Sequence, residues 1–236
     1  MKLKPSRKSV RSILVPVALL LAASVSHASI IVTSRADMSA GSQTLLAPGP
    51  DGNLFDGPVA INYSGGIANI AGPDDFMQRV TQGSTWAGNF SSGDALFFTS
   101  FTPGAISVTF SSDITEVGTQ YQPNFYGPFT GTIRTFDATN TLIGSFSLSG
   151  ISGDVADGSA PFLGIRNTGS DNAIRRVEFA STHDDSGFAI NGITFGTAAA
   201  NTAPVPEPET WAMLGLGLLA LAAYARRRKT TVTSPS

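Results

Sequence analysis

His183 is the one histidine between residues 29 and 197, and it stands beside Asp184 and Asp185. A histidine, a carboxylate and one of the many serines could form a nucleophilic relay. Such a serine usually sits on a Gly-x-Ser-x-Gly elbow, and the sequence has none. Neighbouring residues of a turn also point in different directions, so His183 and Asp184 read as a solvated turn. Paired carboxylates for glycoside hydrolysis are Asp74 with Asp75, Asp154 with Asp157, and Asp184 with Asp185. Glu116 and Glu178 are the only glutamates of this stretch. Glu178 alternates with apolar residues and belongs on an outer strand face, and nothing marks a cleft. The runs Asp154-Val-Ala-Asp157-Gly158 and His183-Asp184-Asp185-Ser186-Gly187 offer oxygen ligands for a structural Ca²⁺. Neither has EF-hand spacing, and ordinary Asx-turns account for both. Trp86, Tyr121, Phe125 and Tyr126 fall in or beside loops, where they could stack on sugar rings or cap the ends of a β-domain. No phosphate-binding or dinucleotide fingerprint is present. The sequence therefore assigns no catalytic residue and no cofactor, and the chain reads as a non-enzyme.

The elements that would position these residues are short β-prone runs between turns, the pattern of an antiparallel sandwich. Ile30 to Thr33 could be an edge strand, and Ser39 to Asp56 reads as loop. Val59 to Tyr63 and Ile67 to Ala71 flank Ser64-Gly65-Gly66, a hairpin signal. Phe76 to Gln82 suggests one helical turn, and Trp86 to Asp94 a loop. Ile106, Val108 and Phe110 share one face of a strand and Ser107 and Thr109 the other. Ile114 to Tyr121 follows as a separate strand, and two prolines then interrupt the pattern. Thr132 to Asp137 and Thr141 to Leu148 form a hairpin, with Leu142, Phe146 and Leu148 on one side. Gly150 to Ala160 is a loop, and Phe162 to Arg166 and Ile174 to Ala180 are strands. In Phe188 to Phe195 the apolar parity switches, which requires a β-bulge at Asn191-Gly192. About ten strands and no long helix give an all-β fold, two sheets packed as a jelly-roll-like sandwich.

Both ends carry address labels. Lys2, Lys4, Arg7, Lys8 and Arg11 precede the apolar run Ile13 to Val25, and Ser26-His27-Ala28 supplies small residues for signal peptidase. The cut falls between Ala28 and Ser29. Arg7-Lys8 is a poor twin-arginine pair, so export of the unfolded chain is expected. The chain has no cysteine, which excludes disulfides, thiol catalysis and lipidation. All four lysines lie outside residues 29–197, where six arginines face fifteen carboxylates, leaving a formal charge of −9. That surface repels nucleic acid.

At the other end, Pro206 and Pro208 hold Val205-Pro206-Glu207-Pro208 extended. Trp211 to Ala225 is uncharged and apolar all round, through Leu214, Leu216, Leu218, Leu219 and Leu221 to Tyr224. As a helix it spans about 22 Å, short of the roughly 30 Å hydrocarbon core, so the bilayer must thin or the ends extend it. Arg226, Arg227, Arg228 and Lys229 then stay cytoplasmic. Together these features divide the chain into a signal peptide (1–28), a β-sandwich ectodomain (29–197), a linker (198–204), a sorting and anchor segment (205–229) and a tail (230–236).

The order of motif, short apolar helix and basic cluster resembles the PEP-CTERM sorting signal of Gram-negative bacteria. The resemblance implies an exosortase, a membrane cysteine transpeptidase acting near the Pro-Glu-Pro, and an apolar tail that is temporary. An inner-membrane intermediate followed by the cell surface or medium is the implied route, with exopolysaccharide the implied surroundings. Residues 106–195 also look like the jelly-roll ectodomain common in such proteins. Many of these read Phe-x-Ile-Asp-Asp where this chain has Phe188-Ala-Ile-Asn191-Gly192. A carbohydrate-binding module is the alternative function, and a secreted hydrolase the third.

Overall fold

A computed structural model describes residues 29–168 and 173–197. The expected signal peptide 1–28 and everything after 197 lie outside the described residues, and with them both flanking helices expected from the sequence. Among the described residues no helix is long and apolar enough to cross a membrane.

All strand pairs are antiparallel, and β8 (Ile106–Pro123) organises them. Its first half pairs with β12 (Ile174–Ser181) on one side and β5 (Gly66–Ala71) on the other. β12 leads to β9 (Gly127–Phe136) and β10 (Leu142–Ser152), and β5 to β4 (Val59–Tyr63), completing one layer. The second half of β8 pairs with β11 (Phe162–Asn167), which carries β1 (Ser29–Val32). Its other side pairs with β13 (Phe188–Ile190) and β14 (Ile193–Thr197). β14 leads to β2 (Gln43–Leu45). β13 leads through β7 (Ala95–Phe98) and β6 (Phe76–Thr81) to β3 (Leu54–Asp56). One long strand thus belongs to both layers of a sandwich.

The layers close on one main apolar core, with two smaller clusters beside it. Ile106, Val108 and Phe110 face it from the first half of β8, and Val117 and Tyr121 from the second. Phe195 meets Phe110 at 5.1 Å and Tyr63 at 4.9 Å across the gap. Each fully buried side chain of this size contributes about 1.5–3 kcal/mol. Arg176 and Glu178 stand on the opposite face of β12 from Val177 and Phe179, where Glu178 bonds both Arg134 and Arg176.

The expected bulge is present. Between the pairs Ile190–Tyr121 and Thr194–Gly118, four steps on the β13–β14 strand oppose three on β8. The extra residue falls at Asn191-Gly192 and lets Ile190, Ile193 and Phe195 all enter the core.

Several expected boundaries shift. Phe76 to Thr81 is strand, not helical turn: Met77 enters the main core and Val80 a smaller cluster on the other side of the sheet. β2 and β3 lie within the stretch read as loop, and each has only three residues. Ile106 to Phe110 and Ile114 to Tyr121 are one strand. A register shift between Leu142 and Gly144 turns Leu142 outward and buries Ile143 in its place.

Candidate functional site

The sorting motif Val205 to Pro208, the expected anchor 211–225, the basic cluster Arg226 to Lys229 and Ala28 lie outside the described residues. Ser29 opens β1 opposite Asn167, donating its hydroxyl to Ile143 O at 3.2 Å and Asn167 Oδ1 at 2.7 Å.

The four candidate aromatics separate into two pairs. Trp86 and Tyr121 are 6% and 3% exposed, so neither offers a face to a ligand. Trp86 packs edge-on to Phe98 in the smaller cluster, and Tyr121 packs edge-on to Phe129 in the main core. Burial holds the Tyr121 phenol well above its ordinary range, against the contact with the backbone of Gly131. Phe125 and Tyr126 are 41% and 55% exposed, at the turn between β8 and β9. The sequence could not separate the pairs, because a ring beside a turn has no periodic neighbours to declare its face.

His183 takes a left-handed conformation (φ 63°) and stacks on Phe125, ring centroids 4.3 Å apart and planes 22° apart. Asp184 Oδ2 accepts Gly104 N at 3.0 Å, and Asp185 Oδ1 accepts Ser186 N at 3.0 Å. His183 is therefore engaged by a ring and both carboxylates by backbone. Asp157 accepts Ser159 N at 2.9 Å, the Asx-turn geometry. The Ser159 hydroxyl and backbone hold the Asp157 carboxyl below its usual range. Among the described residues no group of three or more His, Asp or Glu side chains converges to hold a metal ion, so Asp154, Asp157, Asp184 and Asp185 are not brought together.

One ionic feature was not singled out from the sequence. Glu116 is fully buried on the outward side of β8. Its Oε2 accepts Arg166 Nε at 2.7 Å, and its Oε1 accepts Ser39 N at 2.8 Å and the Ser42 hydroxyl at 3.0 Å. Desolvation pushes this carboxyl up, but Arg166, Ser39 and Ser42 together leave it below its ordinary value. Gly196 makes room, since a Cβ there would lie 2.5 Å from Glu116 Oε1. The pair locks the N-terminal segment over the second layer. The signal was available in principle: a lone glutamate set among apolar strand residues and glycines.

Two open clefts border this framework. One, of about 410 Å³, lies between Ser34-Arg35 and Ser159 to Phe162, with Gln120 in its wall. Arg35 spans it, donating to Gly192 O at 3.1 Å and lying over the Phe162 ring. The other, of about 370 Å³, lies at the Phe125 end, lined by Pro128, Phe129, Thr130, Ser149, Thr182 and His183.

Comparison with curated proteins finds no match. Among solved structures, a DUF4465 family protein from Bacteroides caccae is 14% identical, with TM-score 0.36, over 71% of this chain and 98% of that one. The CBM22-1–GH10 modules of Clostridium thermocellum endo-1,4-β-D-xylanase 10B are 13% identical, with TM-score 0.24, over 67% of this chain and 28% of that one. The low-affinity xylan-binding module CBM86 from Roseburia intestinalis is 11% identical, with TM-score 0.19, over 71% and 94%. A family model also matches the tail. Residues 204–229 carry the PEP-CTERM protein-sorting motif, the mark of an exported chain handed to an exosortase.

Proposed function

We propose that the protein is a non-enzymatic component of the cell surface or extracellular matrix, working among exopolysaccharide. Signal peptidase removes 1–28, the 211–225 segment holds the chain in the inner membrane as an intermediate, and an exosortase then acts near Glu207. The observation that carries this reading is the sorting motif at 204–229 behind a folded β-sandwich. The engagement of His183 by Phe125 and of Asp184 by Gly104 N supports a surface rather than an acid–base role.

Deleting residues 205–236 should move the protein from the cell surface into the medium, measured by fractionation and immunoblot. An unchanged distribution would overturn the reading. The intact mass of the mature protein should correspond to a start at Ser29 and an end near Pro208.

A further inference from the structure

We propose that the end of the sandwich around Phe125 and Tyr126 binds a neutral polysaccharide. The proposal rests on the reading of the protein as acting outside the cell among polymer, and it supplies the contact.

Three loops meet there. Phe101 is 62% exposed and Phe125 and Tyr126 are 41% and 55% exposed, one ring on the first loop and two on the second. The third loop brings His183 under Phe125. Isolated exposed rings are ordinary, but several gathered at one end of a domain mark an interaction surface. The loops are tied together rather than loose. Asn124 N donates to Gly187 O at 2.8 Å, and Gly104 N to Asp184 Oδ2 at 3.0 Å. Gly187 packs on the Phe101 backbone, where a Cβ would lie 2.7 Å from Phe101 N. The Tyr126 hydroxyl reaches Ala87 O at 3.4 Å.

This presentation carries a conformational cost. Ser100, Phe101 and His183 hold φ of 50°, 66° and 63°. Positive φ is uncommon outside glycine and is a marked outlier for a bulky residue. Strain of about 1–3 kcal/mol per residue persists where the surroundings enforce it, and it gathers at binding sites.

The chemistry beside the rings selects the ligand class. The 370 Å³ cleft presents hydroxyls from Thr130, Ser149 and Thr182 and no carboxylate, arginine or lysine. A hydroxyl both donates and accepts, which suits sugar hydroxyls. Aromatic faces pair with the C–H face of a pyranose ring. The acidic charge of the domain opposes a polyanion, so a neutral glycan is favoured over a uronate polymer.

Affinity electrophoresis of the purified mature protein tests this, in gels containing a mixed-linkage β-glucan, a xylan or a galactomannan, with polygalacturonate as the anionic comparison. At least one neutral polymer should retard the protein. Phe125→Ala and Tyr126→Ala should each weaken that retardation about tenfold, the loss of roughly 1.4 kcal/mol. Their melting temperatures should match the parent, and Asn69→Ala on the far β-face should bind normally. Four results overturn the proposal: no retardation by any neutral polymer, retardation by polygalacturonate alone, binding untouched by both ring substitutions, or capture of a protein partner through these rings instead. The assay uses purified protein, so its outcome is independent of whether deletion of the tail changes fractionation.

Discussion

Replacing Glu116 by glutamine separates charge from shape at the one fully buried carboxylate of the described domain. Both carboxylate oxygens are acceptors: Oε2 from Arg166 Nε at 2.7 Å, Oε1 from Ser39 N at 2.8 Å and the Ser42 hydroxyl at 3.0 Å. A glutamine has one acceptor and one donor, so either orientation sets an N–H against an N–H. With the amide toward Ser39, the Ser42 hydroxyl can rotate to accept, but Ser39 N cannot. An unsatisfied buried donor costs about 1–3 kcal/mol. Breaking a buried ion pair costs about 3–5 kcal/mol. Arg166 is 29% exposed, so water partly screens its loss. The expected destabilisation is about 3 kcal/mol, or roughly 6–12 °C in melting temperature for a domain of this size.

The pH dependence supplies the second arm. The folded carboxyl sits below its ordinary 4.5, so the unfolded chain binds the proton more readily. The stabilisation is complete above pH 4.5 and is lost as pH falls through the folded value. Thermal denaturation followed by circular dichroism at pH 7, 5, 4 and 3 should therefore show a gap between parent and Glu116→Gln that narrows below pH 4.5. Equal melting temperatures at pH 7, or a gap of constant width, would refute the reasoning.

Two further substitutions test the packing. A Cβ at Gly131 would lie 1.5 Å from Tyr121 Cε2, so Gly131→Ala must displace a ring that is 3% exposed. Overpacking of this kind is expected to cost about 1–3 kcal/mol or more, read as a fall in the denaturant midpoint. Asn191 donates its amide to Asp94 Oδ2 at 2.8 Å, so Asn191→Asp sets two carboxylates at hydrogen-bond distance. That variant should lose about 2–4 kcal/mol at pH 7 and recover part of it near pH 4, where the pair can share a proton. A melting temperature unchanged from the parent at pH 7 would count against it.

Where one face is buried, the alternation of side chains was legible in the sequence. Ile106, Val108 and Phe110 declare their sheet, and the parity switch from Ile190 to Ile193 declares the bulge. Elements that lack a period were not legible. β2 and β3 have three residues each, too few to alternate, and they sit at sheet edges. Phe76, Met77 and Val80 fall at spacings that mimic one helical turn, because Met77 and Val80 serve two different apolar clusters. Ser111, Ser112 and Asp113 look like a break between strands, yet β8 runs through them as it passes from one layer to the other. For the candidate site, the rings were identifiable by type but not by burial. Tyr121 meets Gly131, ten residues away on β9, a strand that pairs with β10 and β12 and not with β8, so only the packing of the folded domain brings a bare backbone under the ring.

A domain without cysteine has to fix its loops by other means, and this one uses side-chain amides, two from β8 and one from the residue after β6. Gln120 Nε2 donates to Gly158 O at 2.8 Å and Ala160 O at 2.9 Å, pinning the segment after β10. Gln122 Nε2 donates to Ser152 Oγ at 2.6 Å and Gly153 O at 2.8 Å, while its Oε1 accepts Asn89 N at 2.6 Å. Gln82 Nε2 reaches Gly88 O at 2.9 Å. Each such bond nets about 1 kcal/mol, but its loss exposes the full cost of a buried unpaired group. A disulfide acts largely by restricting the unfolded chain. These amides act only in the folded state and leave the unfolded chain unrestricted. They are also neutral, so they fasten the loops without adding to the acidic charge of the domain.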